Sequence, residues 1–208
     1  MKKYFVLLIM LFTGSFIFCQ TIELPAPQKT GGMPLMETLA KRTTVRSFDT
    51  TDISLQQLSD LLWASFGVNR SDGKRTAPSA NNKQEIDIYV LLKTGAFVYD
   101  AQDNKLTQVA TEDLRKAAAS QKFAGDAPVQ LIFIADLSKS GNGTEEEKLR
   151  MANIDCGYVS QNTYLYCTSA GLVTGARASI NRDAITAPLK LKPEQKIILA
   201  HSVGFQKK

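Results

Sequence analysis

Two arginines and two threonines stand within five positions, just after a short predicted helix. They are Arg42, Thr43, Thr44 and Arg46. Guanidinium groups bind phosphate oxygens in a bidentate fork, and hydroxyl groups supply further donors. The segment therefore suits a phosphate monoester, although a solvated basic loop has the same composition.

A second polar segment precedes the first long predicted strand. Pro78, Ser79 and Ala80 are small enough to let a flat ring approach the backbone, and Asn82 and Gln84 carry amides that suit ring heteroatoms. The loop that holds them is long for a compact domain, which favours a functional role.

A third segment of small residues follows the longest predicted helix. Ala178 and Ser179 leave backbone N–H groups accessible there, and Asn181 is placed to cap a helix that begins at Asp183.

Three predicted helices have clear boundaries. Leu35–Lys41 is short. Ser54 and Gln57 have the spacing of a capping box and open a helix that ends near Gly67. A second capping box at Thr144 opens a helix over residues 144–170.

The remaining segments predict strands and shorter helices. The predicted strands are 86–93, 97–100, 105–109, 128–137, 172–175 and 196–204, and the predicted helices are 111–121 and 183–189. Strands and helices mix without strict alternation, and 97–109 forms a hairpin. The pattern predicts an α+β fold, a mixed sheet covered by helices.

The long helix carries apolar residues on more than one face. Cys156 and Val159 mark one stripe, and Met151, Ile154 and Tyr158 mark another. A helix that is apolar nearly all round needs cover on several sides, and a second subunit is one such cover. A central core helix in a monomer is the alternative.

The amino-acid composition excludes several kinds of site and partner. The chain has 208 residues, one histidine and a net charge of +5. One histidine excludes a site with several histidine ligands and allows a catalytic triad only through His201. Without Lys2 and Lys3, which belong to a predicted leader, 23 basic residues face 20 acidic ones, and so small a charge indicates no nucleic-acid partner. Without a basic amphipathic tract or Cys-x-x-Cys spacing, neither membrane-surface binding nor a zinc site is predicted.

The first residues predict an export signal. Lys2 and Lys3 precede an apolar run, Tyr4–Phe18, that is too short to span a membrane. We expect a signal peptide over 1–19, a linker over 20–32 and one domain over 33–208, exported to the periplasm or secreted. Lipid attachment at Cys19 is the alternative.

Several conspicuous side chains are interpreted as structural. Cys156 and Cys167 share the long helix about 16 Å apart, too far for a disulfide. His201 lies in an apolar strand and is interpreted as a core residue, and Tyr158, Tyr164 and Tyr166 as packing residues.

In this order and spacing, the three segments resemble the FMN-dependent nitroreductase family over about residues 35–208. The matching runs are Arg42 to Phe48, Pro78-Ser79-Ala80-Asn81-Asn82, Gly171-Leu172 and 197–204. Leu62-Trp63-Ala64 with Gly67, followed by 75–80, is similar to the azoline-oxidising dehydrogenase branch.

The resemblance implies a mainly antiparallel sheet flanked by helices, and a homodimer with two FMN molecules at its interface. It assigns Arg42, Thr43, Thr44 and Arg46 to phosphate and ribityl oxygens, with Lys207 or Lys208 as a further phosphate cation. The flavin ring of FMN would contact the remaining candidate residues, which are Pro78, Ser79, Ala80, Asn82, Gln84, Ala178 and Ser179. Because FMN carries the chemistry, no catalytic side chain and no metal are expected.

The implied activity transfers electrons from NAD(P)H or another reductant to an electron-poor small molecule such as a nitroaromatic or quinone. The sequence departs from the family's pattern at two places that affect this implied activity. Glu85 and Ile86 stand where the family often has proline and an aromatic residue. Ala178-Ser179 replaces a glycine-rich run. A non-catalytic flavin- or partner-binding module and an FMN-dependent dehydrogenase are the alternatives.

Overall fold

The fold is taken from a computed structural model that describes residues 20–208. The predicted signal peptide and Cys19 lie outside the described residues. None of the helices in the described part of the chain is long and apolar enough to cross a membrane.

One sheet organises the described chain, with strand order β1-β4-β3-β2-β5-β7-β6. The strands are β1 (Thr21–Glu23), β2 (Ile86–Leu92), β3 (Gly95–Asp100), β4 (Lys105–Ala110), β5 (Val129–Asp136), β6 (Val173–Arg177) and β7 (Gln195–Gly204). Every neighbouring pair within it is antiparallel. The prediction of a mainly antiparallel sheet flanked by helices is confirmed.

Six α-helices accompany the sheet in the described part. They are α1 (Leu35–Lys41), α2 (Leu55–Phe66), α3 (Arg115–Ala118), α4 (Lys122–Asp126), α5 (Glu145–Ser169) and α6 (Arg182–Thr186). Both predicted capping boxes form, Ser54 with Gln57 and Thr144 with Glu147. These caps satisfy N–H groups that have no partner within the helix, and they fix where α2 and α5 begin.

The sheet is buried on both faces. Along β5, Leu131 and Phe133 join the core under α2 and α5, whereas Ile132 and Ile134 join the core under α3 and α6. Alternate side chains of a strand point to opposite faces, so a continuous apolar strand serves both cores. The long helix lies on one face, and its end runs into the edge strand β6.

Three predictions about local structure are wrong. Residues 21–23, interpreted as linker, pair with β4 as an edge strand. The helix predicted over 111–121 is reduced to α3, because Ala119 bridges Ile180 and Ala118 accepts the Asn181 N–H at 3.2 Å. Tertiary pairing overrides alanine's helix propensity here. Asn181, the expected cap of the last helix, makes no side-chain hydrogen bond to α6.

Candidate functional site

The arginine–threonine segment lies against the edge strand β6. The Val45 N–H donates to the Thr174 carbonyl at 3.0 Å. A Cβ atom added to Gly175 would lie 2.6 Å from the Val45 carbonyl oxygen, closer than real Cβ contacts allow. The glycine at this position is therefore what lets the segment approach the strand.

Tyr164 of α5 ties this segment to β6. Its hydroxyl accepts the Ala176 N–H at 2.9 Å and lies 3.0 Å from the Thr44 hydroxyl. The Arg42 guanidinium lies 5.3 Å from the centre of its ring, a distance at which a cation is attracted to an aromatic face. The sequence assigned Tyr164 only to packing, and no pattern in it indicated this bridge.

The C-terminal residues return to the same place. Phe48 forms a β-bridge with Gln206, and the Lys207 N–H donates to the Ser47 carbonyl at 3.4 Å. Lys207 also helps to lower the pKa of Asp49, although hydrogen bonds from Thr51 are the larger cause. The structure thus brings Lys207 beside the Arg42–Ser47 segment.

Salt bridges distinguish these cations from their neighbours. Within residues 20–208, Arg42, Arg46 and Lys207 form no salt bridge, whereas neighbouring Lys41 is paired with Glu37 at 2.6 Å. Arg46 and Lys207 are exposed, and Arg42 is half-buried. Unpaired cations beside hydroxyl groups are suited to an anion such as phosphate.

The third segment follows β6, and a buried arginine hydrogen-bonds to its backbone. Arg177 donates to the carbonyls of Ser179 at 3.0 Å and Ala118 at 3.1 Å, and also to Gln130 Oε1. Ser120 Oγ donates to the same Ser179 carbonyl at 2.8 Å. Burial lowers the pKa of Arg177 to about 10. Ala178 and Ser179 stay exposed on this fixed turn.

The second segment is built from left-handed backbone. Asn81, Asn82 and Gln84 have φ between 50° and 54°, a conformation that asparagine tolerates better than most residues. The Gln84 side chain is held inside the loop: it accepts from Arg75 Nε at 2.8 Å and donates to Asn82 Oδ1 at 3.0 Å. Gln84 is therefore committed within the loop, while Pro78 and Asn82 face solvent.

The structure does not bring all the predicted positions together within one subunit. The first segment contacts α5 at Tyr164, and the second contacts it at Asp155, whose carboxylate accepts the Ala80 N–H at 2.8 Å. Nine residues separate these contacts, about 14 Å along the axis and half a turn around it. The positions fall into two groups on opposite flanks of the helix.

The remaining candidates for chemistry are structural. His201 is buried, with Ser160 Oγ 2.8 Å from Nε2 and Thr174 Oγ1 2.9 Å from Nδ1. Burial and then Arg177 lower its pKa to about 3, so the ring is neutral. Cys156 and Cys167 are buried free thiols. These interpretations are confirmed. Across residues 20–208, no cluster of three or more potential metal ligands occurs.

Comparison with known proteins gives the family. The model of the nitroreductase family matches residues 39–205. The chain belongs to the nitroreductase family. A solved structure described as a nitroreductase, from Ralstonia eutropha, is 38% identical with a TM-score of 0.85, covering 90% of each chain. A curated protein named as a nitroreductase, from Methanocaldococcus jannaschii, is 29% identical over 82% of this chain and 90% of its own.

More distant nitroreductase structures share the fold alone. One from Parabacteroides distasonis, described as an NADH dehydrogenase/NAD(P)H nitroreductase, has a TM-score of 0.60 at 17% identity and covers 84% of this chain and 88% of its own. Family membership supports an oxidoreductase. The family generally binds flavin and uses NAD(P)H, a property of the family and not of this chain in particular.

Proposed function

We propose that this nitroreductase-family protein is an FMN-dependent oxidoreductase that works as a homodimer. It passes electrons from NAD(P)H or another reductant to an electron-poor small molecule such as a nitroaromatic or quinone. The observation that carries the proposal is the group of unpaired cations, Arg42, Arg46 and Lys207, gathered beside Thr43 and Thr44 at the edge of β6.

The phosphate of FMN fits this end of the site. Arg42 and Arg46 offer guanidinium forks, Thr43 and Thr44 offer hydroxyl groups, and Lys207 adds a further charge. Tyr164 fixes Thr44 relative to β6, so part of this donor set is ordered before any ligand arrives. A preordered set loses less conformational entropy on binding.

The ring end of the site fits a surface that two subunits make together. Ala178 and Ser179 are exposed at the end of β6, on the flank of α5 that carries the phosphate residues. Pro78, Ser79, Ala80, Asn82 and Gln84 lie on the other flank. A second copy, related by two-fold symmetry, is the arrangement that sets the loop of one subunit opposite the β6 end of the other.

An exposed apolar stripe along α5 supports the dimer. Met151, Ile154 and Tyr158 are 38%, 48% and 49% exposed, and they recur at spacings of three and four residues. This stripe lies opposite the buried stripe that includes Cys156 and Val159. Apolar residues at this spacing favour packing against another helix.

Bound FMN supplies two-electron redox chemistry that no side chain of the protein has. The protein's own residues then bind and orient. The Arg177 guanidinium fixes the turn at Ala178 and Ser179, which forms one wall of the proposed ring site. His201 is neutral and fully engaged, so no proton transfer is assigned to it.

We also propose export, with residues 1–19 removed as a signal peptide. The support is the basic start followed by the apolar run Tyr4–Phe18. Mass spectrometry of the protein from cell fractions tests this. A mature chain that begins at Gln20 in the exported fraction is expected, and a full-length chain confined to the cytoplasm would contradict it.

Absorption spectroscopy tests the function directly. We expect protein purified from its exported form to carry flavin absorbance, or to gain it on adding FMN, and to bleach anaerobically with NADH, NADPH or dithionite. A colourless protein that takes up no FMN would overturn the proposal. Flavin that no reductant bleaches would instead support a non-catalytic binding module. Reduction by an organic substrate would support a dehydrogenase.

A further inference from the structure

Glu85 is a buried acid directly behind the second loop. Its side chain is only 2% exposed, and it lies between Gln84 and the first residue of β2. The Glu85 carbonyl accepts the Asp136 N–H at 2.8 Å, which fixes its backbone to the sheet. Within the described chain, Glu85 Oε2 has no hydrogen-bond donor directed at it. A buried carboxylate oxygen without a donor is costly, so this atom requires an explanation.

Asp155 of α5 is the acid that faces it. Asp155 is 3% exposed, and its Oδ2 accepts the Ala80 N–H at 2.8 Å. After burial, Asp155 is the neighbouring acid that raises the pKa of Glu85. Two ionised carboxylates cannot form a hydrogen bond to each other, because neither has a donor. Two ionised carboxylates buried side by side also repel each other, so the state in which one of them carries a proton is favoured.

The surroundings decide which acid keeps the proton. Asp155 Oδ2 has the Ala80 N–H as a donor, whereas Glu85 Oε2 has no donor within the described residues. Burial first, and then Asp155, raise the pKa of Glu85 to about 7. Lys139 opposes this, but its Nζ is 2.6 Å from Asp87 Oδ1 and is committed there.

Other charged groups adjoin the pair from each neighbouring element. They are Lys83 of the loop, Asp87 of β2, Asp136 at the end of β5, Lys139 after β5, and Glu147 and Lys148 of α5. Lys83, Glu147 and Lys148 line a cavity of about 250 Å³ that also contacts Glu85 and Ala80.

We propose that Glu85 and Asp155 share one proton, held at Glu85 Oε2, and that this pair positions residues 78–82 for the ring of the cofactor. The protonated Glu85 donates to Asp155, and Asp155 remains a carboxylate that accepts the Ala80 N–H. When Glu85 loses its proton, two like charges meet in a buried site, and the acceptor that holds Ala80 is pushed away. Both acids are positioning residues, and the part that concerns FMN rests on the proposed function.

The first test needs no cofactor. In the purified protein, amide exchange at Ala80 and carboxyl NMR of Glu85 are followed from about pH 5.5 to 8.5. After correction for intrinsic exchange, we expect Ala80 protection to fall about tenfold as Glu85 ionises near neutral pH. Glu85→Gln keeps the donor and has no proton to lose, so its protection is constant. Glu146→Gln, an exposed acid on the same helix, behaves as wild type.

A second variant keeps the test decisive if Glu85→Gln does not fold. Asp155→Asn retains an acceptor for Ala80 and presents an amide to Glu85, so ionisation of Glu85 moves to lower pH. A wild-type Glu85 that is already ionised at pH 5.5, or Ala80 protection independent of pH, overturns the proposal.

The second test measures FMN affinity at about pH 6 and 8. We expect wild type to bind FMN about three- to tenfold more weakly at the higher pH, and Glu85→Gln to bind equally at both. If Glu85 and Ala80 titrate but the protein takes up no FMN, the carboxyl pair stands and the proposed function fails. If FMN binds with the same pH dependence in both proteins, the positioning role fails while the function stands.

Discussion

Arg42 and Lys41 are adjacent basic residues with different surroundings. Arg42 stacks over Tyr164 at the edge of β6, whereas Lys41 is exposed and paired with Glu37 one helical turn away. Sequence alone gives both the same charge. Only the position of the side chain makes one of them a candidate for the phosphate.

We expect Arg42→Ala to weaken FMN binding by about 1.5–3 kcal/mol, the range for a hydrogen bond to a charged group. Lys41→Ala, the matched control, is expected to bind FMN as wild type does. Titration of the apoprotein with FMN, followed by flavin fluorescence, measures both. Equal affinities for the two variants would contradict the assignment of Arg42.

A substitution at Tyr164 gives a second test of a single residue of the proposed site. Tyr164→Phe keeps the ring beneath Arg42 but removes the oxygen that serves Thr44 and Ala176. We expect a loss of about 1 kcal/mol in the free energy of unfolding and weaker FMN binding.

Chemical denaturation and FMN titration measure these two effects. Tyr89→Phe is the control, because the Tyr89 hydroxyl lies 3.5 Å from Gln195 Nε2 and is outside the proposed site. If the two variants behave alike, the Tyr164 hydroxyl does not organise the site.

At the scale of elements, α5 separates the two groups of predicted site residues. One flank meets Thr44 through Tyr164, and the other meets Ala80 through Asp155. Its inner stripe fills the core, and its outer stripe is apolar and exposed. A single long helix therefore sets the distance between the two half-sites and offers the surface on which a second subunit would complete them.

We expect Ile154→Glu to convert the dimer to a monomer and to lower its FMN content, because a buried unpaired charge costs several kcal/mol. Asn153→Glu adds the same charge beside the stripe and is expected to leave the dimer intact. Sedimentation velocity with absorbance at the flavin band measures both properties. A dimeric Ile154→Glu protein with full FMN would rule out this interface.

For the whole molecule, Glu85 links stability to pH. Its pKa is raised from 4.5 to about 7 in the folded protein. The unfolded chain therefore releases this proton first, and the contribution of Glu85 to stability is full below about pH 4.5 and lost as pH rises to about 7.

We expect the unfolding free energy of wild type to fall relative to that of Glu85→Gln between these pH values. Urea denaturation of both proteins at several pH values measures the difference. A difference that stays constant, or that grows in favour of wild type as pH rises, would contradict the assignment.

Local patterns in the sequence were sufficient for most of the elements. Capping boxes at Ser54 and Thr144 located α2 and α5, because a cap satisfies N–H groups within a few residues of itself. The apolar run in β5 predicted a strand, and the structure shows that it is buried on both faces. The helix over 111–121 failed because bonds from Ile180 and Asn181, about sixty residues away, compete for its end.

The sequence by itself determined the α+β class, the long helix, the three polar segments and the core role of His201, since each depends on residue types at short spacing. Only the tertiary structure decided which segments meet. Tyr164 bridging Thr44 to β6, Lys207 returning beside Ser47, and Glu85 facing Asp155 all join residues far apart in the chain. Such contacts follow from how the sheet and α5 pack, and no local pattern encodes them.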